Sequence, residues 1–180
     1  MLIIGLDAAS QYKNFGYSIG WLHDGAITIR SADLLDSPRQ RDALSVVIAP
    51  MVREAESVLV AIDAPLGWPA LMGATLHAHE AGQILESAKN EMFCRRTDRF
   101  VRERIGKKPL DIGADKIALA AYTASEVLGR LRTLTGMAMP LAWSAKFTGS
   151  AAIEVYPGAT LRASGLPDSG YKDTERSVEK

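Results

Sequence analysis

Cysteine is nearly missing from this chain of 180 residues: Cys94 stands alone, so no disulfide can close within the chain and no CxxC-type zinc site can be built. That usage fits a reducing compartment, and a cytoplasmic location is the expectation. Net charge is missing as well. The 21 Lys and Arg balance 21 Asp and Glu, which removes any broad field that would draw in a polyanion and leaves only local clustering to do so. No apolar run approaches the roughly 20 residues needed to cross a bilayer. The run at the N-terminus, Met1 to Leu6, lacks a basic leader and meets Asp7 within one strand length, so neither a signal peptide nor a membrane span is expected. Internal repeats and low-complexity segments are absent too. What the sequence does hold is 47% hydrophobic residues, enough for a single globular domain over residues 1–180 with its own core.

The most informative stretch is Val58-Leu59-Val60-Ala61-Ile62-Asp63-Ala64-Pro65-Leu66-Gly67. Five apolar residues without alternation predict a strand covered on both faces, and Pro65 and Gly67 stop it. Asp63 is left at the carboxyl end, where open α/β sheets gather ligands and catalytic groups. For an isolated acid in an Asp-x-Pro setting, a turn cap is the competing reading. Leu2 to Asp7 repeats the arrangement, an apolar run that ends in an aspartate, and so supplies the partner that favours a functional role.

Between these two strands the chain carries turn chemistry at Gln11 to Gly16, a returning strand at Gly16 to Leu22, and an Asp24-Gly25 hairpin signal. Residues 26–34 then alternate, with Ile27 and Ile29 on one face, which gives three consecutive strands joined by hairpins. Leu44, Val47, Ile48, Met51, Val52 and Ala55 recur at helical spacing and predict an amphipathic crossover helix that Pro50 kinks or splits. A crossover through a helix puts the Asp63 strand parallel to the first.

Residues 68–150 read as a mostly helical insertion. One helix within it has Ile117, Ala121, Ala124, Leu128, Leu131 and Leu134 on a core stripe, with Gly136 placed to end it. The segment from Cys94 to Lys108, with Arg95, Arg96, Arg99, Arg102, Arg104 and Lys107, is the one basic concentration in a neutral chain. It is either a solvated helix face or a phosphate-facing surface. His77 and His79, two residues apart on a helix, do not share a face and make a zinc site unlikely in that segment. The last strand runs through Ala151 to Ala159, and its Glu154 is flanked by apolar residues on both sides. A carboxylate so placed is costly unless an arginine or a metal meets it.

Two aspartates at strand ends and a glutamate on a third strand supply the oxygen ligands that hard divalent cations take from rigid neighbouring elements. The order of elements resembles the ribonuclease-H-like fold: an α/β mixed five-stranded sheet, three antiparallel strands plus two parallel, helices on the faces and a helical insertion between strands four and five. In more detail, Gly5-Leu6-Asp7, the Ala61 to Gly67 segment, Thr97-Asp98-Arg99, Glu154-Val155-Tyr156-Pro157-Gly158-Ala159, Leu161-Arg162 and Tyr171-Lys172 resemble domain-of-unknown-function family 429, described as predicted ribonuclease-H-like nucleases. The resemblance covers essentially the whole chain. It implies a nuclease with Asp7, Asp63 and Glu154 as catalytic, metal-holding acids for one or two Mg²⁺ or Mn²⁺ ions. Arg95, Arg99 and Lys172 are then the expected contacts to substrate phosphate, and DNA or RNA the expected partner. Ribonuclease-H-like enzymes add an acid from a final helix, for which Asp173, Glu175 and Glu179 are on offer.

Two other functions compete. A nucleotide-binding or phosphoryl-transfer protein of the actin-like and sugar-kinase type needs a glycine-and-hydroxyl loop after the first aspartate, where this chain has Ala8-Ala9-Ser10-Gln11. A noncatalytic module would balance its acids with Arg95, Arg99 or Arg162 in buried ion pairs.

Overall fold

The computed structural model describes residues 1–35, 37–113 and 115–170. Two compact units partition the chain: Met1–Gly67 with Ala114–Val155, and Trp68–Gly113 with Tyr156–Lys180.

The first unit is built on a mixed five-stranded open sheet. Its strands are β1 (Leu2–Asp7), β2 (Gly16–His23), β3 (Ala26–Leu34), β4 (Ser57–Ile62) and β5 (Gly149–Glu154), in the order β3-β2-β1-β4-β5. The hairpins pair β1 with β2 and β2 with β3 antiparallel, while β4 lies parallel to β1 and β5 parallel to β4. Two helices belong with the sheet: α1 (Pro38–Glu54), which makes the crossover into β4, and α5 (Asp115–Thr135). The β2–β3 hairpin turns where expected, with Asp24 and Gly25 both at positive φ.

Alternation on the central strands decides what enters the core. Leu2, Ile4 and Leu6 of β1 and Val58, Val60 and Ile62 of β4 are buried in one cluster with Ile48 and Val52 of α1 and Ala124, Val127 and Leu131 of α5. The intervening Ile3, Gly5, Leu59 and Ala61 are half-buried, so β4 is apolar on both faces but fully covered on one. Each large side chain in this cluster gains about 1.5–3 kcal/mol from leaving water. α5 ends as its sequence predicts: Gly136 takes φ +69° and donates its N–H to the Arg132 carbonyl, and Arg53 reaches the Leu134 carbonyl at 2.9 Å.

Three local expectations fare differently. Helix α1 runs unbroken through Pro50. Both Pro50 and Val46, whose carbonyl loses its partner, lie on the exposed side, where water replaces the missing bond. Val47, placed on the apolar stripe by spacing, is 62% exposed because the buried side of α1 is set by Leu44, Ile48 and Val52. Ile27 and Ile29 are exposed along with the whole of β3, the edge strand, whose two faces are both left uncovered by the described residues.

The second unit contains α2 (Ala70–Leu76), α3 (Lys89–Phe93), α4 (Arg96–Ile105) and α6 (Pro157–Ala163). The stretch 68–150 is therefore of two kinds: residues up to Gly113 group with α6, whereas α5 packs on α1 in the sheet unit. No helix of the described residues is long and apolar enough to cross a membrane.

Candidate functional site

The carboxyl edge of the central parallel strands collects the three acids. Register pairs Leu6 of β1 with Ile62 of β4, and Ile62 with Glu154 of β5. The β1–β4 ladder continues one residue further, the Asp63 N–H donating to the Leu6 carbonyl at 2.8 Å, so Asp7 and Asp63 stand level on neighbouring strands about 4.8 Å apart. They also leave the sheet on the same side. Leu6 and Ala8 both enter the core cluster, as do Ile62 and Ala64, and the aspartate between each pair must point away from it.

Glu154 is placed differently. It is level with Ile62, one residue behind Asp63, and parallel neighbours at one level project to the same face, which for Ile62 is the core face. Its carboxylate Oε2 accepts the Leu66 N–H at 3.1 Å. Glu154 thus ties the end of β5 to the loop that follows Asp63. Among the described residues no three His, Cys, Asp or Glu side chains gather as a metal-ligand group. What the edge does offer a hard cation is a pair of level carboxylates, Asp7 and Asp63. Magnesium commonly takes one or two carboxylates and completes its shell with water and substrate phosphate, so this donor pair fits that mode of binding.

The sheet leaves space beside Asp7. Gly16 faces it across the β1–β2 ladder, and a Cβ at Gly16 would come within 3.5 Å of the Asp7 Cβ.

The basic residues expected at phosphate belong to the second unit. Arg95 precedes α4 and grips Asp98 with a two-point fork, NH2 to Oδ1 at 2.7 Å and Nε to Oδ2 at 3.1 Å, while its backbone N–H donates to Oδ2 at 2.8 Å. Asp98 is buried, and the fork is the bidentate geometry in which arginine binds carboxylate most strongly. Arg99 is exposed, with NH1 3.4 Å from the Cys94 carbonyl. Lys172, together with Asp173, Glu175 and Glu179, lies outside the described residues.

A second ionic cluster in this unit escaped the sequence reading. Lys107 Nζ donates to Asp168 Oδ2 at 2.7 Å and to the Asp168 carbonyl at 3.2 Å, and Arg162 Nε lies 3.4 Å from the same oxygen. The hydrogen bond from Lys107, joined by the charges of Lys107 and Arg162, holds the Asp168 carboxyl below its ordinary value of 3.8 despite opposing desolvation. Gly158 makes room for it, because a Cβ there would stand 2.9 Å from Lys107 Nζ. The Arg95–Asp98 pair could have been found from its three-residue spacing, whereas nothing local in the sequence links Lys107 to Asp168.

A family model described as Protein of unknown function (DUF429) matches residues 20–179. The chain belongs to that family. The DUF429 match takes in Asp63, Asp98 and Glu154 and begins within β2, so β1 and Asp7 stand outside it. The chain matches no curated protein and no solved structure.

Proposed function

We propose that this DUF429 protein is a divalent-metal-dependent nuclease with a ribonuclease-H-like fold. The observation that carries the reading is the level pair Asp7 and Asp63, on one side of the two central parallel strands of a β3-β2-β1-β4-β5 sheet. In this reading both carboxylates hold Mg²⁺ or Mn²⁺. When bound, such an ion supplies water activation and charge stabilisation at the leaving oxygen of a phosphodiester. Glu154 contributes through the Leu66 N–H, which keeps the Asp63 loop in place. Arg99 and Lys172 remain the proposed phosphate contacts, with Arg95 acting through Asp98 to fix the start of α4. The lone cysteine suits a cytoplasmic site of action.

The test pairs cleavage with metal binding. The full chain should cut DNA or RNA, single- or double-stranded, in Mg²⁺ or Mn²⁺, and Asp63→Asn and Asp7→Asn should each abolish cutting. Mn²⁺ should raise the melting temperature of the parent chain and leave both variants unmoved. Cleavage that persists in Asp63→Asn at the parent rate would overturn the reading.

A further inference from the structure

Helix α4 is amphipathic in an unusual sense. Its buried side is formed by Asp98 with the half-buried Val101 and Ile105, and its solvent side has a phenylalanine at the centre. Phe100 is 63% exposed. Arg96 lies one turn before it and Arg104 one turn after it on the same line, and Arg99 is adjacent. All three arginines are exposed, and among the described residues none of them forms an ion pair. The single acid on this face is Glu103. In a chain with zero net charge, an excess of unpaired arginines on one ten-residue helix is a local positive field, and the helix neighbours of the exposed central ring, Arg96, Thr97, Glu103 and Arg104, are all polar.

We propose that the outer face of α4 binds single-stranded nucleic acid, the arginines meeting phosphates and Phe100 stacking on an unpaired base. The combination separates this occupant from others. Phosphate alone needs only the cations, and an acidic protein segment gains little from a central ring whose helix neighbours are all polar. Single strands supply both a polyanionic backbone and exposed π-faces, and arginine around an aromatic platform is the chemistry that takes them. Duplexes keep their bases stacked internally and offer Phe100 no face. This inference takes from the nuclease reading only the class of polymer; it concerns binding and requires no catalysis.

The experiment is fluorescence anisotropy of the full chain with a labelled 12-nucleotide oligothymidylate, run in EDTA so that cleavage plays no part. Phe100→Ala should weaken binding about tenfold without changing its salt dependence, and Phe100→Trp should restore it. Arg99→Ala and Arg104→Ala should each reduce the slope of log affinity against log salt by about 0.7. Circular dichroism melts identical to the parent establish that the exposed substitutions leave the fold intact. Equal affinity of Phe100→Ala and the parent overturns the proposal, as does an acidic peptide of equal charge that competes as well as the oligonucleotide. Because no metal is present, loss of the proposed binding and loss of nuclease activity in Asp63→Asn are separate results.

Discussion

The two units of this chain are held together by different physics. In the sheet unit, buried aliphatic side chains from β1, β4, α1 and α5 form one cluster, and its acids sit at strand ends outside that cluster. In the second unit the buried apolar residues among those described include only a few large side chains, such as Met92 and Ile112, and the conspicuous ties are polar: the local Arg95–Asp98 fork and the long-range clamp of Lys107 and Arg162 on Asp168. The contrast separates a scaffold whose packing is chiefly apolar from a region whose order depends more on particular charges.

Substitutions can break the contrast in order of size. Ile62→Ala, in the fully buried middle of the sheet cluster, should cost about 4 kcal/mol in denaturant unfolding, and salt should not alter that loss. Asp98→Ala removes the two-point partner of the mostly buried Arg95 guanidinium and should cost about 3 kcal/mol. Hydrogen exchange should show that loss in residues 89–113 and spare the β1 and β4 amides. If β1 and β4 lose protection equally, the two regions are not separate cooperative units.

Smaller effects sharpen the role of Glu154. Glu154→Ala removes the acceptor for the Leu66 N–H and should destabilise by about 1–2 kcal/mol, whereas Glu154→Gln keeps an acceptor oxygen and should recover at least half of that. Equal losses in the two variants would show that the charge, not the hydrogen bond, is what matters there. The subtlest effect is on the acid limb. Because the folded carboxyl of Asp168 is held below its ordinary value near 3.8, its contribution is fully present above that value and is lost as pH falls through the lowered one. Asp168→Asn should therefore flatten the stability profile below pH 3.8 and leave the limb above it unchanged in shape, measured by thermal melts across pH.

Much of the sheet was legible because its signals are local. Apolar runs marked the strands, β1 ending in Asp7 and β4 and β5 closed by Pro and Gly, while Asp24-Gly25 marked the hairpin and Gly136 the end of α5. The candidate site was legible only in part. Asp7, Asp63 and Glu154 share the same flanking pattern, yet a one-residue offset in the β4–β5 register turns Glu154 to the other face. Register between parallel strands is fixed across long crossovers, so no neighbouring residue reports it. Exposure failed for a similar reason: Ile27 and Ile29 alternate as a half-buried strand should, but no described element covers that face of β3 at the sheet's edge. Phe100 shows the converse, an aromatic that composition would assign to a core and the helix face assigns to solvent.

That open edge has a consequence for how the protein must be handled. Nine consecutive exposed residues of β3, three of them large and apolar, expose backbone donors and acceptors to any extended chain that drifts past. Arg30 and Asp33 interrupt the apolar side chains, the device by which natural sheets discourage edge-to-edge growth. Replacing either charge with an apolar residue should therefore make concentrated preparations associate, because the cost of burying a charge against a second chain is then gone.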